Sequence, residues 1–116
     1  MKVIIQCAAR KDSAAGYLKT RDGQRVLFVA HPEKAPRSGD VGYAKPDDRT
    51  EDGRTWRQVL VEYNQSADAN PLGLVPAYRL YEDPRYAQLV TRFGVDNVMI
   101  LSAGWGLLPA DFLTPQ

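Results

Sequence analysis

The sequence predicts an α/β fold built on a small mixed or mostly parallel sheet, with a β-hairpin and about three helices. Three observations carry this. Two short apolar runs, Val3–Ala8 and Val98–Leu101, are too short for helices and carry β-branched residues, and each ends in a polar or glycine-rich turn. Arg21-Asp22-Gly23-Gln24 lies between two strand-like stretches, and Asp-Gly there is a strong hairpin signal. Two other stretches repeat apolar residues at i, i+3, i+4, i+7, the spacing of one helix face.

At 116 residues, 44% of them apolar, the chain supports one domain with one core. A charged fraction of 25% makes whole-chain disorder a poor description, and a net charge of +1 argues against a purely electrostatic nucleic-acid or membrane binder. No run approaches the roughly 18 apolar residues of a membrane span. The early Lys2, short apolar run and Arg10-Lys11 read as a first strand and not as a signal peptide. The single Cys7 excludes an intramolecular disulfide and suits a reducing, cytoplasmic setting. One cysteine and one histidine do not make a zinc or iron site, so no metal is expected, and no cofactor is specified.

The elements follow in order. Val3-Ile4-Ile5-Gln6-Cys7-Ala8 reads as a strand buried on both faces. Tyr17–Thr20 and Arg25–Ala30 form the arms of the hairpin. Residues 31–53, with three prolines, three glycines and the charged run Asp47–Asp52, read as a long flexible surface loop. Trp56, Val59, Leu60 and Tyr63 mark a helix over Arg54–Asn64, capped by Asp52 or Thr55. Pro76 opens a short helix to about Tyr81. Asp83-Pro84 starts the next helix with an N-cap followed by proline at the first helical position; Tyr86, Leu89, Val90 and Phe93 give its apolar face, and Gly94 stops it. The Val98–Leu101 strand follows at once. Leu107–Gln116 reads as a loop without a closing element, which predicts an incomplete Rossmann-like sheet, the N-terminal part of a longer fold. Such a sheet needs a second copy or a partner protein over its open edge or face, with Phe112 and Leu113 as contacts.

Chemistry concentrates at the ends of the two apolar strands. If these are neighbours and parallel, Cys7 and Lys11 share a crevice with Ser102, Gly104, Trp105 and Gly106, and with Asp111 a few residues on. Each residue also has a plain structural role. A lone cysteine is more often a small buried hydrophobe than a nucleophile, although a neighbouring cation can activate it. Lys11 reads equally as a solvated lysine or a phosphate contact. Ser102 lacks the G-x-S-x-G elbow, and His31 is the only histidine available as its base, so a Ser-His-Asp triad is a poor fit. Trp105 either wedges the core or offers a face on which a nucleobase stacks. Arg79, Arg85 and Arg92 define a helix stripe able to track phosphates.

The pairing of Ile5-Gln6-Cys7-Ala8-Ala9-Arg10-Lys11 with Leu101-Ser102-Ala103-Gly104-Trp105-Gly106-Leu107-Leu108 and Asp111–Pro115 resembles the YaaA-like group of bacterial proteins, which includes the peroxide-stress proteins. Members of that group carry a Leu-Ser-x-x-Tyr-Gly-Leu-Leu segment; here Trp105 stands at the tyrosine. The resemblance covers about a quarter of the chain. It implies an α/β fold of roughly twice this length, a stress-associated role, and binding or processing of a nucleobase, nucleotide or DNA. Carried over residue by residue, it marks Cys7, Lys11, Ser102, Trp105 and Asp111 and no more; Cys7, Lys11 and Asp111 are the catalytic candidates, and Ser102 and Trp105, with the flanking Gly104 and Gly106 of the turn, the ligand contacts. An enzyme and a non-catalytic binding or protein-interaction module both remain open at this point.

Overall fold

The computed structural model describes residues 2–7, 11–36, 39–66 and 69–116. Strand β1 (Val3–Gln6) is followed by β2 (Leu18–Lys19), β3 (Arg25–Phe28) and β4 (Val41–Ala44). Helix α1 (Trp56–Ser66) leads to β5 (Val75–Pro76), α2 (Ala77–Leu80) and α3 (Pro84–Phe93), and then to β6 (Val98–Ser102), β7 (Gly106–Pro109) and β8 (Leu113–Thr114). The class is α/β, with small mixed sheets in the orders β1-β6-β7 and β2-β3-β4 and a two-stranded β5-β8 ladder.

Local chemistry accounts for most element ends. In α1, the Thr55 hydroxyl accepts from the Gln58 amide at 3.2 Å and the Gln58 side chain accepts from the Thr55 amide at 2.8 Å. This reciprocal capping box makes Thr55 the cap, since it satisfies two donors the first turn leaves open. Asp83 caps α3 by accepting from the Arg85 amide at 2.9 Å, and Gly94 ends that helix at φ +88°, a conformation glycine adopts without strain. The hairpin forms as read: Leu18 pairs with Val26 and Lys19 with Arg25, and Gly23 turns at φ +90°.

The central pair is β1 and β6, parallel, with Val3 opposite Val98 and Gln6 opposite Leu101. Their inward residues, among them Ile5, Val98 and Ile100, face the core side, where Leu18, Val26, Leu60, Leu80 and Tyr86 pack in one cluster. Both three-stranded sheets feed this cluster, so one core serves the chain.

Three expectations are corrected. Neither β1 nor β6 is buried on both faces: Ile4 is 61% exposed and Leu101 41%, and the same face continues through Leu107 at 49%. Helices cover only the other side of that sheet, which leaves the alternate residues of each strand in water. The stretch 31–53 is not one long loop. It holds a short 3-10 turn at Pro32–Lys34 and strand β4, which pairs in parallel with β3 from Arg25↔Val41 to Phe28↔Ala44. The tail is not an open loop either. Strand β7 turns back along β6, Val75 and Pro76 pair with Thr114 and Leu113, and Thr114, Pro115 and Gln116 are buried. The Gln116 amide donates to the Gly16 carbonyl at 3.1 Å, and Phe112 and Leu113 pack against the core instead of standing as an exposed contact surface.

Candidate functional site

The parallel register of β1 and β6 brings their carboxyl ends side by side, as the two motifs predict. The Cys7 amide donates to the Leu101 carbonyl at 2.9 Å, and the Ala103 amide donates to the Cys7 sulfur at 3.4 Å. The thiol therefore sits against the turn that leaves β6. Ala8, Ala9 and Arg10 of the first motif lie outside the described residues.

That turn is held from inside by Ser102, only 5% exposed. Its hydroxyl accepts from the Trp105 amide at 3.1 Å and from the Tyr81 phenol at 3.2 Å. Both contacts suit a hydroxyl with two lone pairs, and they give Ser102 the positioning role that a serine without an elbow or a histidine is left with. His31 is exposed beside Glu33 and is not among the described residues that line the cleft. Gly106 closes the turn at φ +80° and does not line the cleft, whereas Gly104 does, with the Pro46 ring 3.5 Å from where a Cβ would stand.

Trp105 is 5% exposed, so it forms a wall and not a protruding platform. Its ring meets Phe28 edge-on, centroids 4.7 Å apart, and the Arg57 guanidinium lies over it at 5.9 Å. Arg57 also donates to the carbonyls of Trp105 at 2.6 Å and Gly104 at 3.1 Å, and to Asp47 at 2.9 Å. One side chain from α1 thereby fixes the turn from outside, as Ser102 does from inside.

Lys11 reaches the same cleft from the segment after β1, where its backbone bridges to Tyr81. Burial pushes its amine below the usual lysine range, and the nearby Cys7 opposes that shift. Burial likewise pushes the Tyr81 phenol up, only partly offset by its hydrogen bond to Ser102.

Together these residues line a cleft of about 420 Å³. Cys7, Lys11, Ser102 and Tyr81 supply its polar groups; Phe28, Pro46 and Trp105 supply ring walls, and Val29 and Ala30 complete the rim at the end of β3. Such a volume with apolar walls and a few convergent polar groups falls in the range of small-molecule sites, roughly 300–1,000 Å³.

Asp111 is not part of it. Ala110 donates to the Val98 carbonyl, at the start of β6, and Asp111 beside it is exposed. The two ends of a five-residue strand stand ~13 Å apart. Asp111 follows a β-return that the sequence showed only as a loop, so it emerges at the opposite end of the sheet.

Tyr81, Phe28, Pro46 and Arg57 are the site residues that sequence reading missed. Tyr81 read as the end of a short helix and Phe28 as part of a hairpin arm, and Pro46 fell in the presumed loop. The one available signal was that Phe28-Val29-Ala30 is a third strand end. The arginine stripe is engaged locally: Arg85 pairs with Asp83 at 2.6 Å, and Arg79 and Arg92 lie over Tyr78 and Phe93. A smaller depression of about 260 Å³ between the hairpin turn and the start of α1 is lined by groups that already pair, Asp52 with Arg54 and with Thr50. Among the described residues no helix is long and apolar enough to cross a membrane, and no three His, Cys, Asp or Glu side chains converge as a metal site would need.

No protein-family description, curated protein or solved structure matches the chain.

Proposed function

We propose that this protein binds a nucleobase, a nucleotide or an unpaired DNA base in the cleft at the carboxyl ends of β1 and β6. The observation that carries the reading is the convergence of the two motifs with three ring walls. Cys7, Lys11, Ser102 and Trp105 come from opposite ends of the sequence and meet in one cleft that Phe28 and Tyr81 also line. Flat apolar walls with polar groups at one end suit a planar heterocycle, which stacks on rings and presents hydrogen-bonding edges. The motif resemblance to the YaaA-like group points the same way and adds a cytoplasmic, stress-associated setting. With Asp111 at the far end of β6, the acid–base set of an enzymatic version is split, and binding is the form the geometry supports.

The test is a calorimetric titration with free nucleobases, nucleosides, nucleotides and a short single-stranded oligonucleotide. Ala103→Phe serves as the blocking variant, because Ala103 lines the cleft and is itself exposed. The expected result is saturable binding to the wild-type chain that Ala103→Phe weakens by about 10- to 100-fold, the scale of one stacking contact. Binding unchanged by Ala103→Phe, or no binding by any member of the series, overturns the reading. A steep salt dependence together with indifference to Ala103→Phe moves the contact to the surface arginines.

A further inference from the structure

We infer that the ligand of the β1–β6 cleft is an anion, a planar ring bearing a phosphate or carboxylate, and that Lys11 is its counter-charge. The inference deepens the nucleobase reading and rests on it for the planar part only.

Lys11 is the one formally charged side chain in the described lining of the cleft, and no carboxylate joins it there. Its amine forms no ion pair or hydrogen bond among the described residues. This contrasts with the surface outside the cleft, where Arg54, Arg57 and Arg85 each have a carboxylate within 3 Å. A lysine that only decorated the surface would extend into water. Lys11 is half-buried instead, its backbone fixed by the bridge to Tyr81. Burial disfavours its charged form and holds its amine below the usual range; the neighbouring Cys7 opposes that shift only in part, and no carboxylate in the described lining adds to it. A partly buried cation without a partner is unfavourable in the empty protein, and an incoming anion removes that penalty.

The other groups facing the cleft fit the same occupant. The Tyr81 phenol donates to the Ser102 hydroxyl, which also accepts from the Trp105 amide, and the Cys7 sulfur accepts from Ala103. None of them is a carboxylate, and none forms an ion pair or hydrogen bond with the Lys11 amine. A carboxylate or phosphate to pair with it therefore has to come with the ligand. Phosphate on a nucleotide and carboxylate on a ring share this chemistry.

The test compares uracil and uridine, which are neutral, with uridine 5′-monophosphate, orotate and benzoate. Binding is measured by calorimetry on the wild-type chain, on Lys11→Met and on Lys11→Arg, each first shown folded by circular dichroism. The expected result is that the monophosphate or orotate binds about 10- to 100-fold tighter than uridine or uracil, the scale of a hydrogen bond to a charged group. That advantage disappears in Lys11→Met and survives in Lys11→Arg. The tighter of the two anions identifies the source as phosphate or ring carboxylate. Equal binding of neutral and anionic probes, or an advantage that persists in Lys11→Met, overturns the inference and leaves the nucleobase reading standing. Lys11-dependent binding of benzoate without binding of any uracil derivative keeps the anion and removes the nucleobase. Binding by none of the five removes both.

Discussion

Two regions of this molecule handle charge in opposite ways. Around the start of α1, charges are matched: Arg57 meets Asp47 at 2.9 Å, and Arg54 meets Asp52 at 2.7 Å and also Glu62. About the carboxyl ends of β1 and β6, Lys11 stands half-buried with no carboxylate in the cleft it lines. The first region is exposed, so its pairs are screened by water and each contributes little. In the second, Lys11 is partly withdrawn from water, so its charge is screened less than those at α1. The contrast separates charges that serve solubility and local turn geometry from a charge kept available for something else. Arg57 belongs to both regions, because its guanidinium holds Asp47 on one side and the Gly104 and Trp105 carbonyls on the other.

The comparison can be broken at four points. The largest effect is expected from Trp105→Ala, which removes a ring packed on Phe28 and under Arg57. A loss of about 3–5 kcal/mol in urea unfolding is expected, the range for truncating a buried aromatic. A loss near zero would show that the cleft wall is not part of the core. Arg57→Ala should follow with about 1–3 kcal/mol, because it leaves the half-buried Trp105 carbonyl without its donor. Arg57→Lys should restore only part of this, since an ammonium cannot span both carbonyls and Asp47 in one plane. Equal stability of the Ala and Lys variants would reduce Arg57 to a surface charge.

Arg54→Ala sharpens the contrast from the other side. Its partners Asp52 and Glu62 are exposed, and no shift of the unfolding midpoint beyond experimental scatter is expected. A clear destabilisation would mean that the charged network at α1 holds the fold as firmly as the cleft does.

The fourth point is the pH dependence, and here the two regions titrate at opposite ends of the scale. Asp47, Asp52 and Asp83 are held below the usual 3.8 by hydrogen bonds from Arg57, Arg54 and Arg85. Their contribution is present above that value and is lost as pH falls through the lowered folded-state values. Lys11 is also lowered in the folded chain, from 10.5, but for a base the sign is the reverse. Between its folded value and 10.5 the unfolded chain holds more protons, so stability rises with pH as the burial penalty on the ammonium is removed. The raised Tyr81 phenol acts above 10, where the unfolded chain loses its proton first and stability falls. Lys11→Met removes the rising limb. The stability difference between Lys11→Met and wild type should therefore shrink as pH approaches 10.5. A difference constant across the alkaline range would show that the amine is solvated like any surface lysine.

Some of this was legible because it is local. Thr55 is one of two cap candidates for α1, and the structure selects it through its exchange with Gln58; Asp83-Pro84 starts α3, Gly94 stops it, and Asp22-Gly23 turns the hairpin. Each rests on atoms a few residues apart, so the residue types decide the outcome wherever the segment sits. The parallel meeting of β1 and β6 was also legible, because two apolar runs ending in polar turns need a partner for their backbone groups and found it in each other.

What the sequence could not decide depends on partners far along the chain. Val41-Gly42-Tyr43-Ala44 is a strand only because β3 offers it a ladder. Gly106–Pro109 is a strand only because the Ser102–Trp105 turn aims it back along β6. That return carried Asp111 away from the cleft, and the bridge to Lys11 together with the hydrogen bond to Ser102 set Tyr81, just past α2, into it. Sequence by itself determined the class, the caps and the two strand ends that bear Cys7, Lys11, Ser102 and Trp105, because those follow from short-range sterics and hydrophobic pattern. Tertiary structure alone decided which side chains complete the cleft and that Lys11 meets no carboxylate there, because burial and Coulomb energy depend on distances that no spacing along the chain encodes.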